Sequence, residues 1–214
     1  MENDKNRRPL KVRRFRVMRN IAKSLSDKKI SPNLISIYSV AFAAVAALCF
    51  ILAGYFDGVI VKRIFFLFVI IFVQMRLLCN LFDGMVAVEG GLKTPSGELF
   101  NDIPDRIADP LILIAAGYSV DFFGISGVMG WIAGILALMT AYIRTLAASI
   151  GAPVNFCGPM AKQHRMATIT VACILMVVSP EAYIIFFALL LIILGSAFTV
   201  FRRSKAAYLY LEKS

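Results

Sequence analysis

From residue 34 onward the chain is built of long apolar runs divided by short polar breaks. Read at helical pitch, the runs predict six membrane spans, near residues 34–55, 64–82, 98–119, 123–150, 166–180 and 182–202. They are continuous over about 20 residues rather than alternating over about 10, which selects helices over a barrel. The third run is unusual, because its first half carries Glu98, Asn101, Asp102, Asp105, Arg106 and Asp109. Between the fifth and sixth, Ser179-Pro180-Glu181 predicts a tight turn that starts a helix. Ahead of the first run, Phe15, Met18, Ile21, Ala22 and Leu25 recur at steps of three and four. That spacing places them on one helical face, with arginines on the other. Such a helix is expected to lie along the headgroups of an anionic leaflet.

The expected fold is therefore all-α and integral to the membrane, with six transmembrane helices after a cytoplasmic juxtamembrane amphipathic helix. Residues 1–31 form the basic tail and amphipathic helix, 32–204 the membrane domain, and 205–214 a cytoplasmic tail. Composition supports this class. Of 214 residues, 59% are hydrophobic and 17% charged, against about 45–50% and about 25% in soluble domains. An ordinary soluble globule, a disordered chain and a disulfide-stapled domain are excluded. The net charge of +10 does not make the chain a nucleic-acid binder, because nearly half of the basic residues lie in the first thirty positions. No signal-peptide core or cleavage site follows that basic segment.

Basic residues also set the orientation. Lys93, Lys162, Arg165, Arg202, Arg203, Lys205 and Lys213 fall on the side of the N-terminus if there are six spans, and only Lys62 and Arg63 fall opposite. Both termini and the 83–97 and 151–165 loops are expected in the cytoplasm, with a bacterial inner membrane as the setting. Cys49, Cys79, Cys157 and Cys173 lie in no metal-type pair and read as reduced, mostly buried apolar residues.

Ionisable groups inside a membrane are costly and mark function. Here they gather at the cytoplasmic ends of the second, third and fourth spans. Asn80 and Asp83 share a helical face, as do Glu98, Asn101 and Asp105, and Asp109 extends that stripe by a turn. Asp102 is offset and spaced to pair with Arg106. Two helix ends thus present oxygen donors of the kind hard divalent cations take. Gly84 and Gly97 flank them and permit close approach. Arg144, Lys162, His164 and Arg165 lie near the same side. Of these, Arg144, Lys162 and Arg165 suit an anionic acceptor or a phosphate. Lys162 and Arg165 serve equally well as topology anchors.

Residues 80–105 read Asn80-Leu-Phe-Asp83-Gly84-Met-Val-Ala87, a spacer, then Gly97-Glu-Leu-Phe-Asn101-Asp-Ile-Pro-Asp105. This resembles the CDP-alcohol phosphatidyltransferase signature, D-x-x-D-G-x-x-A-R, a spacer, then G-x-x-x-D-x-x-x-D. Ser31-Pro32-Asn33-Leu-Ile-Ser36 resembles a P-N-x-x-T/S element common in the same family. Its six-helix membrane fold agrees with the count from hydropathy. Asn80 and Asn101 replace the first and third acids, and Val88 replaces the arginine.

The resemblance implies an enzyme of phospholipid biosynthesis. It would transfer a phosphatidyl or related phospho-alcohol group from a CDP-linked donor, CDP-diacylglycerol foremost, to an alcohol, releasing CMP. It implies Asp105 as general base, and Mg²⁺ or Mn²⁺, one or two ions, at Asp83 and Asp105 with Asn80 and Asn101 as neutral ligands. Glu98 shares their face and is a candidate to restore part of the lost charge. Asn33, Asp83, Gly84, Ala87 and Gly97 would lie against the CDP moiety. Membrane lipids and a homodimer are the family's partners. The asparagines leave open an alternative, a member that binds CDP-lipid or scaffolds lipid-synthesis partners without transfer. A transporter using the acids as an ion relay explains the charges but not the two-part spacing.

Overall fold

The computed structural model describes residues 16–92 and 94–213, apart from the side chains of Glu89 and Glu98. The described residues form α1 (Arg16–Asp27), α2 (Pro32–Tyr55), α3 (Val59–Glu89), α4 (Gly97–Tyr118), α5 (Ser126–Ser149), α6 (Lys162–Val178) and α7 (Ala182–Leu211). Each helix from α2 to α7 coincides with one apolar run. The start of α2 follows from its sequence. The Ser31 side chain accepts a hydrogen bond from the Leu34 amide at 3.1 Å, and Pro32 needs no donor in the first turn.

Two helices outrun their apolar segments. α3 continues past residue 82 to Glu89, so Asn80 and Asp83 sit inside a helix rather than at its end. α7 continues to Leu211, which makes most of the expected C-terminal tail helical. Its last turns are rich in alanine, leucine and lysine, residues that sustain a helix after hydropathy falls.

Among the described residues, α2, α3, α5 and α7 are long and apolar enough to cross a membrane. α4 differs by its charged first half and by Pro104 and Pro110 inside the helix, and α6 by its 17 residues. Large apolar side chains such as Leu48, Ile51, Leu67, Ile71, Leu191 and Leu194 point outward from the bundle. A belt of this kind is stable against lipid and not against water, and the chain is an integral membrane protein.

The interior is packed through small residues. Ala43, Ala46, Ala47 and Ala53 bury one face of α2. α4 and α5 meet backbone to backbone, since a Cβ on Gly117 would lie 2.5 Å from the Ser126 carbonyl and 2.9 Å from Gly130 Cα. This close approach of glycines substitutes for the hydrophobic drive that helices lack in lipid. α3 packs on both α2 and α6, and α5 on both α4 and α7.

α1 is amphipathic and does not lie free of the bundle. Ala22, with Met18 and Leu25, packs on Leu81, Met85 and Val86 of α3, while Val17 and Ile21 face outward. Phe15 and the basic residues before it lie outside the described residues.

Candidate functional site

Arg76, Asn80 and Asp83 are spaced by four and three along α3 and share one face. That face meets the first half of α4 and the first turn of α6. Asp83 is buried, and the Ser36 hydroxyl of α2 donates to its Oδ2 at 2.7 Å. The Gly84 amide donates to Oδ1. Arg76, on the same α3 face as Asp83, pairs with Asp105 of the second motif half.

An ionic network fills the junction. Asp105 accepts from Arg76 at 3.2 Å through Oδ1 and from Lys162 through Oδ2. Asp109 accepts from Arg76 through Oδ1 and from Arg165 through Oδ2 at 2.8 Å. Arg165 also donates to the Thr140 hydroxyl at 3.2 Å and the Met160 carbonyl at 3.1 Å. Arg76 is fully buried, and Asp109 and Arg165 nearly so. Charges are kept in such a place only when paired, because desolvation of a lone ion costs several kcal/mol. Nearer the surface, Asp102 accepts from Arg106 at 2.6 Å and from Arg144 at 3.1 Å. Arg144 in turn lies over the Phe156 ring, 5.4 Å from its centroid.

The sequence-predicted residues divide. Asp83, Asp105 and Lys162 are brought together. Asn80 lies beside them on the Arg76 face, and both its amide atoms are buried without a hydrogen-bond partner. Asn101 is exposed. The Glu98 side chain lies outside the described residues. Asn33, Gly84, Ala87 and Gly97 are half-buried. A Cβ on Gly97 would meet only the Thr94 hydroxyl, at 3.4 Å, so that position is open toward its surroundings. Arg144 belongs to the Asp102 pair. Arg165 is sealed against Asp109, Thr140 and Met160. His164, whose Nδ1 lies 2.6 Å from the Pro159 carbonyl, is exposed and apart from the network.

The residue missing from the sequence reading is Arg76. Its signal was available. It is a lone arginine in the second apolar run, one turn before Asn80 and two before Asp83, and a charge at such depth marks a site.

The donors as arranged do not fit a two-ion centre. Among the described residues, no three His, Cys, Asp or Glu side chains are grouped to hold a metal. Both oxygens of Asp105 already receive cationic donors, and Asn101 is exposed. The three inner carboxylates, Asp83, Asp105 and Asp109, are balanced by Arg76, Lys162 and Arg165, so the inner cluster is formally neutral. A hard divalent cation gains its binding energy from surplus carboxylate charge. A cleft of about 640 Å³ opens elsewhere, at the loops joining α2 to α3 and α4 to α5.

No protein-family model and no curated protein matches the chain. Solved structures do. The phosphatidylinositol phosphate synthase of Mycobacterium tuberculosis with CDP-DAG bound superposes with a TM-score of 0.71 at 18% identity, over 91% of this chain and 94% of that one. The same synthase in complex with manganese and citrate gives 0.70 at 18% identity, over 89% and 88%. Its apo form gives 0.68 at 18% identity, over 88% and 95%. This chain therefore has the fold of that synthase along nearly its whole length.

Proposed function

We propose that the protein is a membrane phosphotransferase of the CDP-alcohol phosphatidyltransferase kind. It transfers a phosphatidyl or related phospho-alcohol group from a CDP-activated donor, CDP-diacylglycerol foremost, to an alcohol acceptor. The observation that carries this reading is the ion pair from Arg76, on the α3 face that also bears Asp83, to Asp105 on α4, in a fold shared with a synthase solved with CDP-DAG bound. On this reading α2 to α7 are six spans and α1 lies at the cytoplasmic surface. Both termini and the loops after α3 and α5 are cytoplasmic, as the distribution of basic residues supports.

The reaction asks little of the chain beyond positioning and charge. The acceptor hydroxyl attacks the β-phosphorus, its proton passes to the Asp105 carboxylate, and the bond to the bridging oxygen breaks to release CMP. Lys162 is about a quarter exposed and holds Asp105 Oδ2. When its ammonium turns from the carboxylate to the phosphate, that oxygen becomes open to the acceptor. Asp83, Gly84, Ala87, Gly97 and Asn33 line the nucleotide side.

A second reading has its own observation. Both Asp105 oxygens are occupied by cations, and two acids of the signature are asparagines, which favours a protein that binds CDP-lipid without transferring it. The separating experiment measures CMP release from CDP-diacylglycerol against a panel of glycerol phosphate, inositol, inositol phosphate and serine. Release that needs one acceptor and falls about 100-fold or more in Asp105→Asn supports transfer. CDP-lipid binding with no release for any acceptor supports the second reading.

A further inference from the structure

We propose that this chain binds the diphosphate of its CDP-linked ligand without a divalent cation, with Lys162 and Arg76 supplying the positive charge. The proposal rests on the CDP-lipid reading above and specifies how that site works.

Three observations carry it. The first is charge balance, since Arg76, Lys162 and Arg165 equal the inner carboxylates in number and hold Asp105 and Asp109 in ion pairs, while Asp83 is held by the Ser36 hydroxyl and the Gly84 amide. Just outside them, Asp102 is met by Arg106 and Arg144. Among the described side chains a divalent cation entering here meets no surplus of negative charge, whereas an anion meets cations on two sides.

The second is the set of unused groups. Arg76 is fully buried, yet its Nε and Nη1 have no hydrogen-bond partner. The Asn80 amide, one turn along the same face of α3, is also without one. Buried donors left unpaired cost about 1–3 kcal/mol each, so native structures rarely keep them without a role. They call for an acceptor-rich partner, and a diphosphate offers only acceptors. Three of the four unpartnered atoms, Arg76 Nε and Nη1 and Asn80 Nδ2, are donors, and only Asn80 Oδ1 is an acceptor.

The third is access. Lys162 stands at the exposed edge of the network while Arg76 lies at its floor. The ammonium is a mobile point charge on a flexible stem. It can leave Asp105 for a phosphate without unpacking a helix, and Arg76 still holds Asp105 and Asp109 when it does.

The test is calorimetric titration of CDP into the full-length protein in phosphatidylcholine nanodiscs, once with excess EDTA and once with Mn²⁺. The expected result is a Kd that agrees within about tenfold between the two buffers. In EDTA, Lys162→Met weakens binding by more than that factor and Lys162→Arg restores it. Binding tighter by more than about tenfold in Mn²⁺ overturns the proposal and leaves the CDP-lipid reading standing. So does direct Mn²⁺ binding that Asp105→Asn abolishes. Absence of CDP binding in both buffers overturns the CDP-lipid reading, and the proposal with it.

Discussion

Arg76 reaches from the interior of α3 to two carboxylates on α4, and both of those carboxylates have a second cation from α6. Removing it leaves Asp105 with Lys162 alone and Asp109 with Arg165 alone, the latter pair nearly fully buried. Arg76→Met is expected to cost about 3–5 kcal/mol in unfolding free energy, as breaking a buried ion pair does. Adding Asp109→Asn should recover part of that loss, read as a thermal midpoint in detergent. Ser36→Ala deletes one neutral donor to Asp83 and should cost only about 1 kcal/mol. The sequence exposes some of this network and hides the rest. Asp102–Arg106 follows from helical spacing, and Asp105 stands out as a member of the stripe that Asp109 extends. The pairing of Arg76 with Asp109 depends on how α3 crosses α4, which no local pattern encodes. Arg165 was ambiguous for a different reason. A basic residue in the first turn of a span satisfies the inside-positive bias equally well whether it faces water or is buried against an acid.

At the scale of helices, hydropathy located all six long elements but not their ends. The second run fades near residue 82, yet α3 holds through Gly84, Ala87 and Val88 to Glu89, and this extension makes the face of Asn80 and Asp83 rigid. Small residues decide where the helices touch. A Cβ on Gly130 would lie 2.9 Å from the carbonyls of Leu113 and Ile114. Gly130→Leu is therefore expected to push α5 off α4 and to cost at least about 1–3 kcal/mol. Gly124→Ala lies in open space at a positive φ of 68° and should cost only backbone strain, about 1 kcal/mol. Comparing the two in one unfolding assay separates crowding from strain. α1 shows what an amphipathic pattern leaves undecided. Its apolar stripe was readable, but the division of that stripe between α3 and the outer surface is set by Leu81, Met85 and Val86, which pack against Ala22.

For the whole molecule, the one-sided distribution of basic residues supports the orientation proposed above. In a variant lacking the native cysteines, Asp57→Cys, in the loop after α2, should react with a membrane-impermeant maleimide in intact spheroplasts. Ser96→Cys, just before α4, should react only after permeabilisation. The reverse pattern would place the ionic network on the outer face, away from cytoplasmic CDP-lipid. The bundle was legible because membrane helices announce themselves by length and hydropathy. Asp83, Asp105, Lys162 and Arg165 could be singled out in the sequence, whereas the pairing among these residues and Arg76, which comes from three helices, could not. The most direct test of the account is a cryo-electron microscopy map of the protein in nanodiscs containing CDP-diacylglycerol. The account predicts density for the cytidine diphosphate at the junction of α3, α4 and α6, between Asp83-Gly84 and Lys162. An empty junction under saturating ligand, or the nucleotide seated in the cleft at the opposite loops, would contradict it.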